Sequence, residues 1–246
     1  WTEEVIVMPG DGTILILKTG ETLAPVKIVR GDFEKWITTD LVLPKHRIKL
    51  CEAYAGEPLP DISSISGIVV TGSPSMVTDR PAWSEGAAVW LAKIVEDDIV
   101  PVLGLCYGHQ LLAHGLGGEV GQNPNGREMG TVELRMDAAD LAEDMLLEGG
   151  TFPVHMSHVE SVLVPPDGAG VLGATDIEPN AVLRFGPRQW GVQFHPEFDA
   201  DIMRRYVEAR REIIRGEGSD PEVMIAAAAE TPESTSILNR FATLVG

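Results

Sequence analysis

Val100-Pro101-Val102-Leu103-Gly104-Leu105-Cys106-Tyr107-Gly108-His109-Gln110 is the stretch that decides how this chain is read. Val100 to Leu105 is a short apolar run that fits a strand buried on both faces, and residues 107–116 read as the helix that follows. Cys106 then stands on the turn between them, with a glycine two residues to either side. A nucleophile on such an elbow needs a sharp backbone bend, and small neighbours permit it. The helix start would direct free N–H groups and the positive dipole end at the sulfur, and both favour thiolate over thiol. The N–H of Tyr107 would then face an oxyanion formed at the attacked carbon.

Working outward, residues 13–17 are a further apolar run rich in β-branched residues, 47–51 and 67–71 also read as strands, and residues 32–41 fit a helix. After Pro81, Trp83, Ala87, Trp90, Leu91, Ile94 and Val95 recur at helical spacing. This alternation predicts an α/β fold with a mostly parallel sheet and helices on both faces. Further on, 128–136 and 151–164 are strand-like, with a helix expected over 138–147 between them. Strands at 170–175, 181–185 and 189–194 complete an added mixed or antiparallel sheet. Ile202, Met203, Tyr206, Val207, Ile213 and Ile214 form the apolar stripe of a C-terminal helix. Residues 216–221 stop and restart it, and helices are expected at 222–229 and 236–244. The expected organisation is one domain over 13–215 with a helical extension, 216–246, packed on it.

The 246 residues include 37 acidic and 19 basic side chains, a net charge of −18. Hydrophobic residues make up 44% and charged ones 23%, the balance of a soluble globular chain and not a disordered one. No window approaches the ~18 apolar residues of a membrane span. Such acidity argues against nucleic acid or anionic lipid as partners. Cys51 and Cys106 form neither a disulfide framework nor a Cys-x-x-Cys metal site. Residues 1–12 lack a basic region followed by an apolar run, so no signal peptide is expected and the cytoplasm is the default.

A second cluster, Gly191-Val192-Gln193-Phe194-His195-Pro196-Glu197, closes the last strand. Its two-residue spacing puts His195 and Glu197 on one side of the chain. A cysteine nucleophile needs a base to move protons, and that base benefits from a carboxylate that orients it. Cys106, His195 and Glu197 supply those roles. Cys51, in mid-strand, reads as a small core residue. His109 shares the helix of Cys106, which restricts its approach. His155 and His158 form a His-x-x-His without a third ligand candidate nearby, so no metal site is expected.

Gly-Leu-Cys-Tyr-Gly-His-Gln at 104–110, Thr-Gly-Ser-Pro-Ser at 71–75 and Gln-Phe-His-Pro-Glu at 193–197 resemble the class I glutamine amidotransferases. Within them the likeness is to the glutaminase domain of GMP synthases and to stand-alone proteins similar to it, from about residue 13 to about 210. The resemblance implies a flavodoxin-like fold, with Cys106 as nucleophile, His195 as base and Glu197 as its orienting partner. It also implies an oxyanion hole from Tyr107 and the Gly72–Ser73 loop, where Ser73 replaces a family glycine and so limits φ. Gln110 matches a substrate-contacting glutamine. Ser157 and His158 lie in the segment whose backbone holds the substrate carboxylate, although Val159-Glu160 departs from the usual Gly-Asp.

The implied chemistry is hydrolysis of the glutamine side-chain amide through a cysteine thioester, without metal or organic cofactor. No Gly-x-x-x-x-Gly-Lys-Ser/Thr occurs, nor the Ser-Gly-Gly-x-Asp-Ser loop of the ATP-using half of GMP synthases. Three readings stay open at this stage. The chain supplies ammonia to a separate synthetase, or it is a stand-alone γ-glutamyl hydrolase or peptidase, or it is a non-catalytic binding module.

Overall fold

A computed structural model describes residues 12–136 and 146–246. The first half alternates β1 (Ile14–Lys18), α1 (Ala24–Arg30), α2 (Phe33–Leu41), β2 (Ile48–Glu52), β3 (Gly67–Val70), α3 (Ala82–Glu96), β4 (Val102–Leu105) and α4 (Tyr107–Gly115). Seven strands follow: β5 (Glu119–Gln122), β6 (Glu128–Met136), β7 (Gly150–His158), β8 (Glu160–Val164), β9 (Gly170–Ala174), β10 (Val182–Gly186) and β11 (Gln189–Val192). The chain then becomes helical, with α5 (Ala200–Ala209), α6 (Arg211–Gly216), α7 (Pro221–Ala227) and α8 (Pro232–Val245).

Every residue of β1, β3 and β4 is buried, as it must be where helices cover both faces of a sheet. Alternate side chains of β1 serve opposite layers. Ile14 and Ile16 join Phe33 and Trp36 of α2 and Leu238 and Phe241 of α8. Leu15 and Leu17 join Leu91 of α3 and Leu111 and Leu112 of α4. The C-terminal helix is therefore part of the main core.

The strands form a nine-stranded sheet in the order β2-β1-β3-β4-β11-β10-β9-β6-β7. Its first five strands are parallel and the rest antiparallel. The 2-1-3-4 order is the flavodoxin-like one, and ligands in such sheets bind beyond the carboxyl ends of the strands. The antiparallel strands continue the main sheet; the small separate sheet is β5 paired with β8.

Several sequence expectations change in detail. The strand-like run 151–164 divides at Val159 into β7 and β8, which belong to different sheets. The stripe after residue 200 is two helices, broken at Arg210 with φ −112° and ψ 13°. α1 and β5 are additional elements. The helix expected over 138–147 lies largely outside the described residues, and Leu146 and Leu147 are buried but not helical. Among the described residues no helix is long and apolar enough to cross a membrane.

Candidate active site

At the carboxyl end of β4 the backbone turns at Cys106 with φ 49° and ψ −99°, and α4 begins at the next residue. A side chain is strained in this region, and such strain persists only where the surroundings enforce it. Here the Cys106 N–H donates to the carbonyl of Val192 at 2.8 Å, locking the bend to β11. The flanking glycines allow the helix to sit directly on the sheet. A Cβ on Gly104 would fall 2.6 Å from the Gly108 carbonyl carbon, and one on Gly108 would fall 2.6 Å from the Val70 oxygen. The Tyr107 side chain points into the core, where its hydroxyl meets Ser84 Oγ at 2.7 Å. What it can offer the site is its backbone N–H, one of the helix-start donors that lack an intrahelical acceptor.

His195 follows β11, and its N–H donates to the carbonyl of His155 in β7 at 2.9 Å. Its Nδ1 lies 2.8 Å from Glu197 Oε1, and the ring is near enough to Cys106 for the sulfur to favour its charged form. Phe198 stacks on the ring with centroids 4.1 Å apart. The other side is crowded by the loop after β3, where a Cβ on Gly72 would lie 2.8 Å from His195 Cε1. That contact requires a glycine at position 72. Burial alone would push the imidazole pKa down. The Glu197 carboxylate, followed by Cys106, outweighs it and raises the value to about 10.

Cys106 opens onto a cleft that Ser73, Tyr107, Gln110, Ser157 and His158 also line. His195, Glu197 and Gly72 do not line it; the first two are buried behind Cys106, 2% and 3% exposed. Gln110 Nε2 donates to the Glu160 carbonyl at 2.7 Å and to Gln193 Oε1 at 2.9 Å. Gln193 Nε2 in turn lies 3.4 Å from Cys106 Sγ. Gln193 was not singled out in the sequence, although it begins the motif that carries His195. The Glu160 carboxylate accepts from the Val77 N–H at 2.9 Å and from the Thr78 hydroxyl, tying β8 to the loop after Ser75. The His158 ring is engaged elsewhere, 3.1 Å from Glu128 Oε2 and 2.8 Å from the Glu160 carbonyl. Only its backbone is left for a ligand.

Neither Gly72 nor Ser73 has positive φ, so the serine brings no backbone strain. The Gly72 carbonyl accepts from Thr71 Oγ1 at 2.9 Å and Thr19 Oγ1 at 3.1 Å. Across a trans peptide the Ser73 N–H points opposite to that carbonyl.

The competing candidates lie in different surroundings. His109 is fully buried against Phe185, its ring near the backbone of Gly191 and Asn180 without a well-formed hydrogen bond, and burial pushes its pKa down to about 3. Burial likewise pushes the Cys51 thiol up to about 11. His155 and His158 do not converge on a ligand: His155 Nδ1 faces Thr131 Oγ1 at 3.2 Å. Among the described residues no group of three His, Cys, Asp or Glu is arranged to hold a metal ion. Arg210 and Arg127 also line the cleft, and nothing in the sequence had marked them.

Comparison with known proteins gives a consistent picture. The sequence matches the family model "Glutamine amidotransferase class-I" over residues 31–210. It is 39% identical over 149 residues to the GMP synthase [glutamine-hydrolyzing] of Porphyromonas gingivalis, a match covering 60% of this chain and 28% of that protein. The corresponding protein of Aeropyrum pernix is 38% identical over 164 residues, 65% of this chain and 28% of the relative. The matches thus span little more than a quarter of those relatives. Among solved structures, a glutamine amidotransferase from Thermotoga maritima superposes with a TM-score of 0.71 at 19% identity, covering 94% of this chain and 96% of that one. One from Methylobacillus flagellatus gives 0.69 at 23% identity, covering 96% and 92%. At those identities the structures speak for the fold, while the family match spans most of the chain. This protein belongs to the class I glutamine amidotransferase family.

Proposed function

We propose that the protein hydrolyses the side-chain amide of glutamine through a thioester on Cys106, releasing glutamate and ammonia. The observation that carries this reading is the His195 ring, 2.8 Å from Glu197 and with its charge favoured by Glu197 and Cys106, behind an open cleft that Cys106 lines. The Cys106 thiolate attacks the amide carbon and forms a C–S bond. The carbonyl oxygen becomes an oxyanion, held by the Tyr107 N–H and by the Ser73 N–H that the pinned Gly72 carbonyl orients. Each such donor supplies about 3 kcal/mol. The His195 imidazolium protonates the amide nitrogen, the C–N bond breaks and ammonia leaves. Water then gives a proton to His195 as its oxygen attacks the thioester; the C–S bond breaks and glutamate departs. Glu197 orients the ring and stabilises its charge. Gln110 and Gln193 brace the sulfur side of the cleft, and the backbone of Ser157 and His158 faces the amino-acid end of the substrate.

The ammonia goes to a separate synthetase, and the cytoplasm suits that role. What supports an ammonia-supplying role is the likeness to the relatives named above, each a GMP synthase [glutamine-hydrolyzing]. Residues 13–215 form the catalytic domain, with 216–246 as a helical extension whose α8 joins the core. The test is glutamate release from purified protein given L-glutamine and a panel of γ-glutamyl peptides. Turnover of glutamine is expected. Rapid cleavage of γ-glutamyl peptides with glutamine a poor substrate would identify a stand-alone γ-glutamyl hydrolase, and hydrolysis of neither would contradict the thioester reading.

A further inference from the structure

The two oxyanion donors rest on supports of different kinds. The Tyr107 N–H belongs to the first turn of α4 and moves only with that helix. The loop after β3 has no helix to carry it. Its donors are few: Pro74 has no N–H, and the Ser75 N–H donates to Ser73 Oγ at 3.1 Å. At its start the Gly72 carbonyl is held by Thr71 and Thr19, but a glycine there leaves the peptide plane torsional freedom. The loop needs a second fixed point to keep the Ser73 N–H in place.

Glu160 of β8 supplies that point. It is buried, and its carboxylate reaches the far end of the loop. One oxygen accepts from the Val77 N–H at 2.9 Å and lies 3.4 Å from the Thr78 nitrogen, and the other accepts from the Thr78 hydroxyl. Burying a carboxylate is costly unless its oxygens are hydrogen-bonded, and bonds to a charged acceptor are among the strong ones. The main chain of the same residue is used elsewhere. Its carbonyl accepts from Gln110 Nε2 at 2.7 Å and lies 2.8 Å from His158 Nδ1. Glu160 therefore ties the loop through its side chain, and α4 and β7 through its backbone, so a substitution alters only the first tie. Its length matters too. Val159-Glu160 stands where Gly-Asp is usual, and a side chain shorter by one carbon–carbon bond would fall about 1.5 Å short of the loop.

We propose that Glu160 is the positioning residue of the loop that carries the Ser73 N–H: its carboxylate fixes the Val77–Thr78 end and so holds the oxyanion donor at the cleft. This rests on the thioester reading above. Glu160 acts on the reaction through the loop, and the substrate does not bind to its carboxylate.

Three variants separate reach from charge. Glu160→Gln keeps the reach: its amide oxygen accepts from both N–H groups, and its amide nitrogen donates to the Thr78 hydroxyl. Glu160→Asp keeps the charge without the reach, and Glu160→Ala keeps neither. With L-glutamine, the Gln variant should stay within about threefold of the unmodified kcat. The Asp and Ala variants should lose about 10- to 100-fold in kcat with KM within about threefold, because a displaced oxyanion donor costs up to the effect of a lost one. Iodoacetamide is the control. It alkylates the Cys106 sulfur by displacing iodide from a saturated carbon, so no oxyanion forms, and its rate should be the same in all four proteins. Slowed alkylation would show general damage to the site, a raised KM would show a substrate contact, and a Gln variant as slow as the Ala variant would show that charge and not reach matters. Each would overturn the proposal. Amide hydrogen exchange reads the tie without the reaction: residues 72–78 should exchange faster in the Asp and Ala variants but not in the Gln variant, and unchanged exchange there would also overturn it. If the loop loosens in this pattern while the unmodified protein never hydrolyses glutamine, the role of Glu160 in holding the loop stands and the thioester reading falls.

Discussion

Around Gly191, where His109 packs onto β11, and around His195, just past the end of that strand, the chain buries two imidazoles almost equally. The outcomes are opposite. Burial drives His109 down to about 3, whereas His195 rises to about 10. One carboxylate, Glu197 at 2.8 Å, together with Cys106, accounts for the reversal. The cysteines repeat the contrast. Cys51 lies within β2 with its thiol pushed up to about 11, while Cys106 is bent to φ 49° at the end of β4, near the His195 ring whose charge it favours. Burial therefore sets the cost of a charge, and the partner at the carboxyl edge of the sheet decides whether a side chain is inert or reactive.

The strongest way to break this comparison is to exchange the two cysteines' fates. Cys106→Ala should remove glutamate release by a factor on the order of 10⁴ or more. Cys51→Ala should leave the rate within about twofold and lower the melting temperature, because it opens a small hole in a packed core. Next come the histidines. His195→Asn should cost about 10² to 10⁴ in kcat, the range of a lost general acid–base. His109→Asn should cost stability and little rate. Loss of activity at His109 with retention at His195 would reverse the assignment.

Glu197→Gln sharpens the comparison without deleting the ring. Because the folded pKa of His195 lies above its ordinary 6.5, its charge is maintained through neutral pH and lost as pH rises through about 10. The stability linked to that charge is likewise complete below about 6.5 and fades toward 10. With a neutral amide at 197, the alkaline limb of the rate profile should move from about 10 toward neutral pH, with turnover reduced about tenfold to a hundredfold.

The smallest effect is expected at Asp40, on α2 behind the site. Burial first, then the charges of Glu197 and Asp199, raise its pKa to about 7. The folded protein binds this proton more tightly than the unfolded chain, so stability falls as pH climbs from about 4 to about 7. Asp40→Asn should therefore melt above the unmodified protein at about pH 8 and level with it near pH 4. Equal melting at both values would show that the site feels no third carboxylate.

The parts legible in the sequence are those where local chemistry and tertiary role coincide. β1, β3 and β4 are continuous apolar runs because helices cover both their faces, and Cys106 is flanked by glycines because α4 lies directly on β4 and β3. Other features have no local mark. α1 exposes Ile28 and Val29 and buries only Val26, so it shows no apolar stripe. The division at Val159 separates two stretches of equal strand character, and only the pairing of β8 with β5 distinguishes them. Arg210 interrupts an apolar stripe without a glycine or proline, and its place on the cleft, with Nη1 unpartnered among the described residues, is visible only once the chain has folded. Ser73 shows the reverse. It looked like a strained replacement for glycine, yet its φ is ordinary and its Oγ accepts the Ser75 N–H at 3.1 Å.

The central claim is that Cys106 is a nucleophile for the γ-glutamyl carbonyl, and covalent trapping tests it most directly. The protein would be treated with a glutamine-mimicking diazo ketone, with and without excess L-glutamine, and the modified peptide located by mass spectrometry. Labelling at Cys106 alone, slowed by glutamine and reduced in the His195→Asn variant, is the predicted result. Labelling at Cys51 with Cys106 untouched, or labelling at Cys106 that glutamine does not slow, would contradict it.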